Sequence, residues 1–231
     1  VNTPIILSNG KKRGNGRINC IAFDPFDRDI IWIGSPGGGL WKSSDGGNSW
    51  STNTDNLPVI GVSYIAINPI NPQEMYITTG DAHASDTYSI GILKSNDGGT
   101  TWDTTGIQFP VPSNKMVNKL IIHPTFTDSI FAATDERIMI SPDGGQTWSI
   151  AQNTSGSNLI GRFRDIEFKP NNPNVLYAVK QTNGSSEVFK STDRGLTWFS
   201  SNNGIGLVNR NRPLIAVTPA NPDVVYVLFC K

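Results

Sequence analysis

Ser43-Ser44-Asp45-Gly46-Gly47-Asn48-Ser49-Trp50 is the stretch on which the fold turns, because the pattern Ser-x-Asp-x-Gly-x-Ser/Thr-Trp returns three more times. The copies are Ser95, Asp97, Gly99, Thr101 and Trp102; Ser141, Asp143, Gly145, Thr147 and Trp148; and Ser191, Asp193, Gly195, Thr197 and Trp198. Successive aspartates lie 52, 46 and 50 residues apart. Ser and Asp side chains hydrogen-bond within tight turns, Gly tolerates positive φ, and Trp covers a hairpin with a large apolar face. The octet therefore reads as a lock on the turn between the third and fourth strands of a repeating unit. An element present in every repeat cannot mark a single site, so Asp45, Asp97, Asp143 and Asp193 are structural rather than catalytic or metal-binding. The four tryptophans are spent in the same way and do not form a platform for stacking sugars.

Outward from the octets, a second motif places a proline after a short apolar run: Phe23-Asp24-Pro25, Ile67-Asn68-Pro69, Ile122-His123-Pro124, Phe168-Lys169-Pro170 and Val217-Thr218-Pro219. It occurs five times, so the last repeat has its opening without its octet. Each full repeat holds four short strands; in the first they fall at residues 18–23, 30–34, 39–43 and 49–52, divided by turn residues. Helical periodicity is absent. About four strands in each repeat of this length is the pattern of a β-propeller blade. The expected architecture is all-β: a lead-in over 1–16, four-stranded blades over about 17–60, 61–115, 116–160 and 161–210, and the start of a fifth over 211–231. Four and a half blades make a partial ring with an unpaired edge, so the polypeptide is expected to continue beyond this sequence.

Composition narrows the function classes. With 19 basic and 19 acidic residues the net charge is zero, which gives no bias toward nucleic acid. No apolar run approaches the ~18 residues of a membrane helix, so this segment is not expected to insert into a membrane. Cys20 and Cys230 lie in apolar runs and read as buried free thiols. No residues show metal-ligand spacing, and neither a metal nor a cofactor is expected.

The octets, with Asn71-Pro72, Asn172-Pro173 and Asn221-Pro222, resemble the Asp-box (bacterial neuraminidase) repeats of the sortilin/Vps10-like, photosystem-assembly-factor and xyloglucanase-like propellers. The resemblance runs from about Arg17 to Phe229 and implies fold more than activity. Gly34 to Ser43 and Tyr76 to Asp81 resemble large secreted propellers of Bacteroidota, which implies an extracellular or cell-surface protein exported by a type IX-like secretion system. Sialidases of this fold need an Arg-Ile-Pro string; the nearest here is Arg17-Ile18-Asn19. The catalytic-Asp string of xyloglucanases aligns with Ser35 to Lys42 and puts Pro36 at the acid's position, where no proton can be exchanged. The resemblance therefore implies a module binding a protein or a glycan, and possible contact with secretion machinery. The alternative is a glycoside hydrolase with acids partly outside this segment.

A ligand site belongs on the propeller face that carries the loops between second and third strands and between blades. The second repeat has the largest such insertion, Thr79 to Ser89, with Asp81, His83, Asp86 and Tyr88. Asp81, Asp86 and Asp135 are the only loop acids to weigh as catalytic groups. His83, Tyr88, Arg162 and Arg164 are the candidates for the ligand-binding face, the two arginines opening the fourth repeat beside the channel. His123, in the slot before a repeat proline, reads as structural.

Overall fold

The computed structural model describes residues 16–84, 87–182, 184–205 and 211–230. Those residues are all strand, turn and loop. The first sheet is β1 (Cys20–Phe23), β2 (Ile31–Ser35), β3 (Gly39–Ser43) and β4 (Ser51–Thr52); the second is β5 (Val62–Ile67), β6 (Met75–Thr79), β7 (Gly91–Ser95) and β8 (Asp103–Gln108). The third is β9 (Val117–Ile122), β10 (Ile130–Thr134), β11 (Ile138–Ser141) and β12 (Ser149–Ile150). Next come β13 (Gln152–Asn153), β14 (Arg162–Lys169), β15 (Asn172–Thr182), β16 (Ser185–Ser191) and β17 (Thr197–Ser200), then the pair β18 (Asn211–Val217) and β19 (Val225–Cys230). Each sheet is an antiparallel meander whose first strand stands beside the first strands of its neighbours, as in β1, β5, β9, β14 and β18. This is the expected partial propeller. One detail differs: Gln152–Asn153, counted with the third repeat, pairs in parallel with β17 and extends the outer edge of the fourth sheet. A two-residue parallel pairing has no turn signal in sequence.

The core lies between sheets rather than within them. Trp32 and Leu40 of the first blade pack with Val62, Met75, Ile77 and Leu93 of the second; Tyr76 and Ile92 pack with Val117, Leu120 and Ile130; Phe131 and Ile138 pack with Phe163, Leu176 and Trp198. Burial of these β-branched and aromatic side chains supplies the main driving force.

The four octets form one repeated hydrogen-bond cage. In the second, the Ser95 hydroxyl donates to Asp97 Oδ1 at 2.8 Å and accepts from Gly99 N at 2.8 Å, while Thr101 donates N–H and Oγ1–H to the Asp97 carboxylate at 2.8 and 2.6 Å. Asp45, Asp143 and Asp193 repeat the geometry. Each turn after the first also seats on the blade before it. A Cβ at Gly99 would stand 2.6 Å from the Trp32 ring and one at Gly195 2.7 Å from Phe131, so bare glycine is required there. In the fourth octet Arg194 takes the left-handed slot (φ 60°) that Gly46, Gly98 and Gly144 fill in the others.

Seating on the preceding blade explains a difference among the tryptophans. Trp198, with a blade before it, is 0% exposed, whereas Trp50 of the first blade is 36% exposed. Ile21 and Phe23 at one end of the array and Tyr226 and Leu228 at the other are likewise exposed. In urea unfolding, Trp198→Ala is expected to cost about 3–5 kcal/mol and Trp50→Ala about 1 kcal/mol. Equal losses at the two positions would remove the inter-blade account.

The cages also predict an acid response. Hydrogen bonds from Thr101, first its hydroxyl, hold Asp97 at about 2 rather than 3.8. A carboxylate lowered in the folded state adds stability above its ordinary pKa and loses it as pH falls through the folded value. The stability difference between wild type and Asp97→Asn should therefore be constant from about pH 7 to 5, shrink below about 4 and vanish near 2. A pH-independent difference would show that the carboxylate charge does no work in the turn.

Candidate functional site

One extra residue in four of the five inner strands, all but β1, builds the site. Pairing of β5 with β6, β9 with β10, β14 with β15 and β18 with β19 slips at Ser63, at Asn118, at Arg164 and between Asn211 and Leu214. Such bulges re-aim a side chain. Counted back six residues from the repeat prolines, the positions are Asn19, Ser63, Asn118, Arg164 and Pro213, one per blade. The bulges turn this row into the mouth of the axial channel.

The first residues of the second blade's long loop, Ala82 and His83, stand at that mouth. The loop is pinned at its neck, where Thr79 Oγ1 and Ser89 Oγ lie 3.0 Å apart and Ile90 N donates to Thr79 Oγ1 at 2.9 Å. Its first residues turn inward: Ala82 N donates to Ser63 Oγ at 2.9 Å, and the buried Asp81 accepts from Arg17, from His83 N at 3.0 Å and from Asn19 Nδ2 at 3.4 Å. Arg164 reaches from the fourth blade to donate Nη1 to the Ala82 carbonyl at 2.8 Å and to Asn118 Oδ1 at 3.3 Å, and Nε to Gln181 at 2.7 Å. Asp135 accepts from Arg162 Nε at 2.7 Å and Asn118 Nδ2 at 3.0 Å. Below, Lys119 lies 2.6 Å from both Asp165 and Glu167, and Asp165 also accepts Ile215 N at 2.9 Å.

A cavity of about 230 Å³ opens between these groups, lined by Ala82, His83, Asn118, Arg164, Arg212, Pro213 and Leu214. Its charge is one-sided. Arg17 and Arg162 are neutralised by Asp81 and Asp135, but among the described residues no carboxylate lies within ion-pair distance of Arg164 or Arg212. Burial, first, and then Arg17, Arg164 and Arg212 push the His83 imidazole below its ordinary pKa. It is a neutral hydrogen-bonding group at pH 7.

The residues singled out in sequence divide accordingly. His83 and Arg164 meet at the cavity, and Arg162 stands beside it in its pair with Asp135. Tyr88 is exposed on the same loop. Asp81 and Asp135 are held by arginines and amides, and Asp86 lies outside the described residues. His123, 2% exposed, accepts Thr125 N and Phe126 N at Nδ1 and serves its turn. Asn118, Ser63 and Gln181 were missed; counting back from the repeat prolines would have found the first two.

With the geometry in hand, comparison with known proteins places the chain. The Sortilin-Vps10 family model (sortilin, neurotensin receptor 3) matches residues 91–212. The chain belongs to the Sortilin-Vps10 family. A xyloglucanase from Paenibacillus sp is 26% identical over 215 residues, covering 80% of this chain and 21% of that protein. The chain thus spans about a fifth of this relative's length. Among solved structures, an ancestral GH74 enzyme superimposes with TM-score 0.71 at 18% identity, over 92% of this chain and 29% of that one. YCF48 bound to D1 peptide gives 0.56 at 17% identity, over 92% and 67%. These structural likenesses establish the propeller fold. Among the described residues no helix is long and apolar enough to cross a membrane.

Asp81 anchors the loop, so Asp81→Ala leaves Arg17 and His83 N without this acceptor and Asn19 Nδ2 with the Val62 carbonyl alone. The expected result is a loss of about 1–3 kcal/mol and faster proteolytic cleavage within residues 80–88. Unchanged cleavage would mean that the neck at Thr79 and Ser89 alone holds the loop.

Proposed function

We propose that this segment is a glycan-binding propeller module whose site is the axial mouth. The observation that carries the reading is the state of the polar groups there. The acids Asp81 and Asp135 are fully engaged by arginines and amides, while Arg164 and His83 face an open cavity. Glycoside hydrolysis needs one carboxyl group able to give a proton and a second free to act as base or nucleophile. Neither role suits a carboxylate committed to a guanidinium. Recognition suits the arrangement, because hydrogen-bonding groups and an apolar wall of Ala82, Pro213 and Leu214 converge on one concavity. The resemblance to xyloglucanases over most of the chain supports a sugar polymer as the ligand class.

The module is read as part of an extracellular or cell-surface protein. Its place as a passenger of a type IX-like secretion system rests on the strings Gly34 to Ser43 and Tyr76 to Asp81. The second functional reading, a glycoside hydrolase completed by residues outside this segment, is favoured by the names of the relatives and leaves Asp86 as its candidate here.

Affinity electrophoresis through gels containing neutral or acidic plant and microbial polysaccharides, followed by a reducing-end assay, separates these readings. The expected outcome is retardation by at least one polysaccharide, lost in Arg164→Gln, without release of reducing ends. Release that disappears in Asp86→Asn would install the hydrolase reading; free passage through every gel would overturn glycan binding.

A further inference from the structure

We infer that the ligand of the axial mouth carries a carboxylate, so that the module reads a uronic-acid unit of an acidic glycan rather than a neutral sugar. The inference rests on the glycan-binding reading and names its ligand class.

Arg164 is a half-buried guanidinium whose Nε and Nη1 are tied to Gln181, Ala82 and Asn118; Nη2 takes part in none of those bonds. Those acceptors are neutral and fix the orientation of the side chain without compensating its charge. Burial, first, and then Arg162 push its pKa down against an opposing pull from Asp135, with Arg212 adding to the downward push, the mark of a cation held where cations are disfavoured. The nearest acid in the network, Asp135, has its carboxylate on Arg162 and Asn118. Arg212 adds a second positive charge at the rim, with a left-handed backbone (φ 45°) directly before Pro213, a conformation that a non-glycine residue rarely holds. The cavity is therefore built around charge that the described residues do not neutralise.

A neutral sugar gains little from such charge. A carboxylate gains charge-assisted hydrogen bonds from the Arg164 Nη2 N–H groups, which take no part in the bonds to Gln181, Ala82 and Asn118, in a partly desolvated site where such bonds are stronger. The volume of about 230 Å³ is on the scale of one pyranose unit, and Ala82, Pro213 and Leu214 offer an apolar wall to a ring's C–H face. A uronic acid combines that ring with the acid group, and His83, neutral at the rim, can accept or donate to a ring hydroxyl.

The test is calorimetric titration with oligogalacturonate, its methyl ester, neutral xyloglucan oligosaccharides, and a short peptide as free acid and as C-terminal amide. Titration of the two histidines by NMR runs in parallel. The expected result is binding of oligogalacturonate alone, weakened about tenfold or more in Arg212→Gln and Arg164→Gln and weakened by added salt. Bound anion should raise the His83 pKa and leave His123, inside its turn, unmoved. Arg212→Gln lies on an exposed side chain and keeps the test valid if Arg164→Gln fails to fold. Equal binding of the methyl ester or of neutral oligosaccharides would overturn the carboxylate inference and leave glycan binding standing. Binding of the peptide acid alone, or of no probe, would overturn both.

Discussion

Each of the four full blades is closed by a turn whose aspartate is caged by its own Ser and Ser or Thr, and each turn after the first rests on the second strand of the blade before it. Hydrogen bonds fix the shape of the turn, and shape is what permits the contact, since Gly99 and Gly195 leave no room for a Cβ against Trp32 and Phe131. The wedge angle between blades follows from this seating. So does the gradient of tryptophan burial, from Trp50 with no described blade before it to Trp198 under full cover. The polar cage and the apolar core act in series, because a loosened cage withdraws the tryptophan and opens the interface on both sides.

The functional end of the molecule depends on a different irregularity. A regular inner strand alternates its side chains between its two faces, so only every second residue reaches the axis. The bulges at Ser63, Asn118 and Arg164 break that alternation at one height and bring a polar group from each of three blades to a common rim. The next layer down, Lys119 with Asp165 and Glu167, is closed by its own ion pairs and gives the rim a rigid floor. Rigid strands with a re-aimed side chain are a better platform for recognition than loops alone, and the start of the second blade's long loop is itself anchored through Asp81.

Most of the fold was legible because its determinants are local. The octet spans eight residues, and every hydrogen bond of the cage falls within them, so the sequence pattern and the physical object coincide. The strands of the first blade lie within about two residues of their expected positions, as end fraying allows. The site was only half legible. His83 and Arg164 stood out as charged or titratable groups near loop ends, but the ion pairs that engage Asp81 and Asp135 join residues 64 and 27 positions apart, and no short pattern reports them. Asn118 sits among Val117, Lys119 and Leu120 and resembles an ordinary strand residue until the bulge is known. β13 escaped for a related reason: its partner lies 45 residues downstream in a parallel pairing.

Net charge proved a poor guide to the local field. Equal numbers of acids and bases suggest an electrically plain surface, yet the repeat fixes the height of four of the acids. The octets place Asp45, Asp97, Asp143 and Asp193 at the turns of one face, where the octet hydroxyls hold the first three at about 2 and so ionised under all ordinary conditions. Arg17, Arg162, Arg164 and Arg212 gather around the opposite mouth, where only two of the four meet a carboxylate among the described residues. A propeller repeats position as well as sequence, so any residue fixed by the repeat accumulates on one face. The anionic face follows from how the fold is locked. The uncompensated cations of the mouth do not follow from it, and that is the physical ground for assigning them to a ligand.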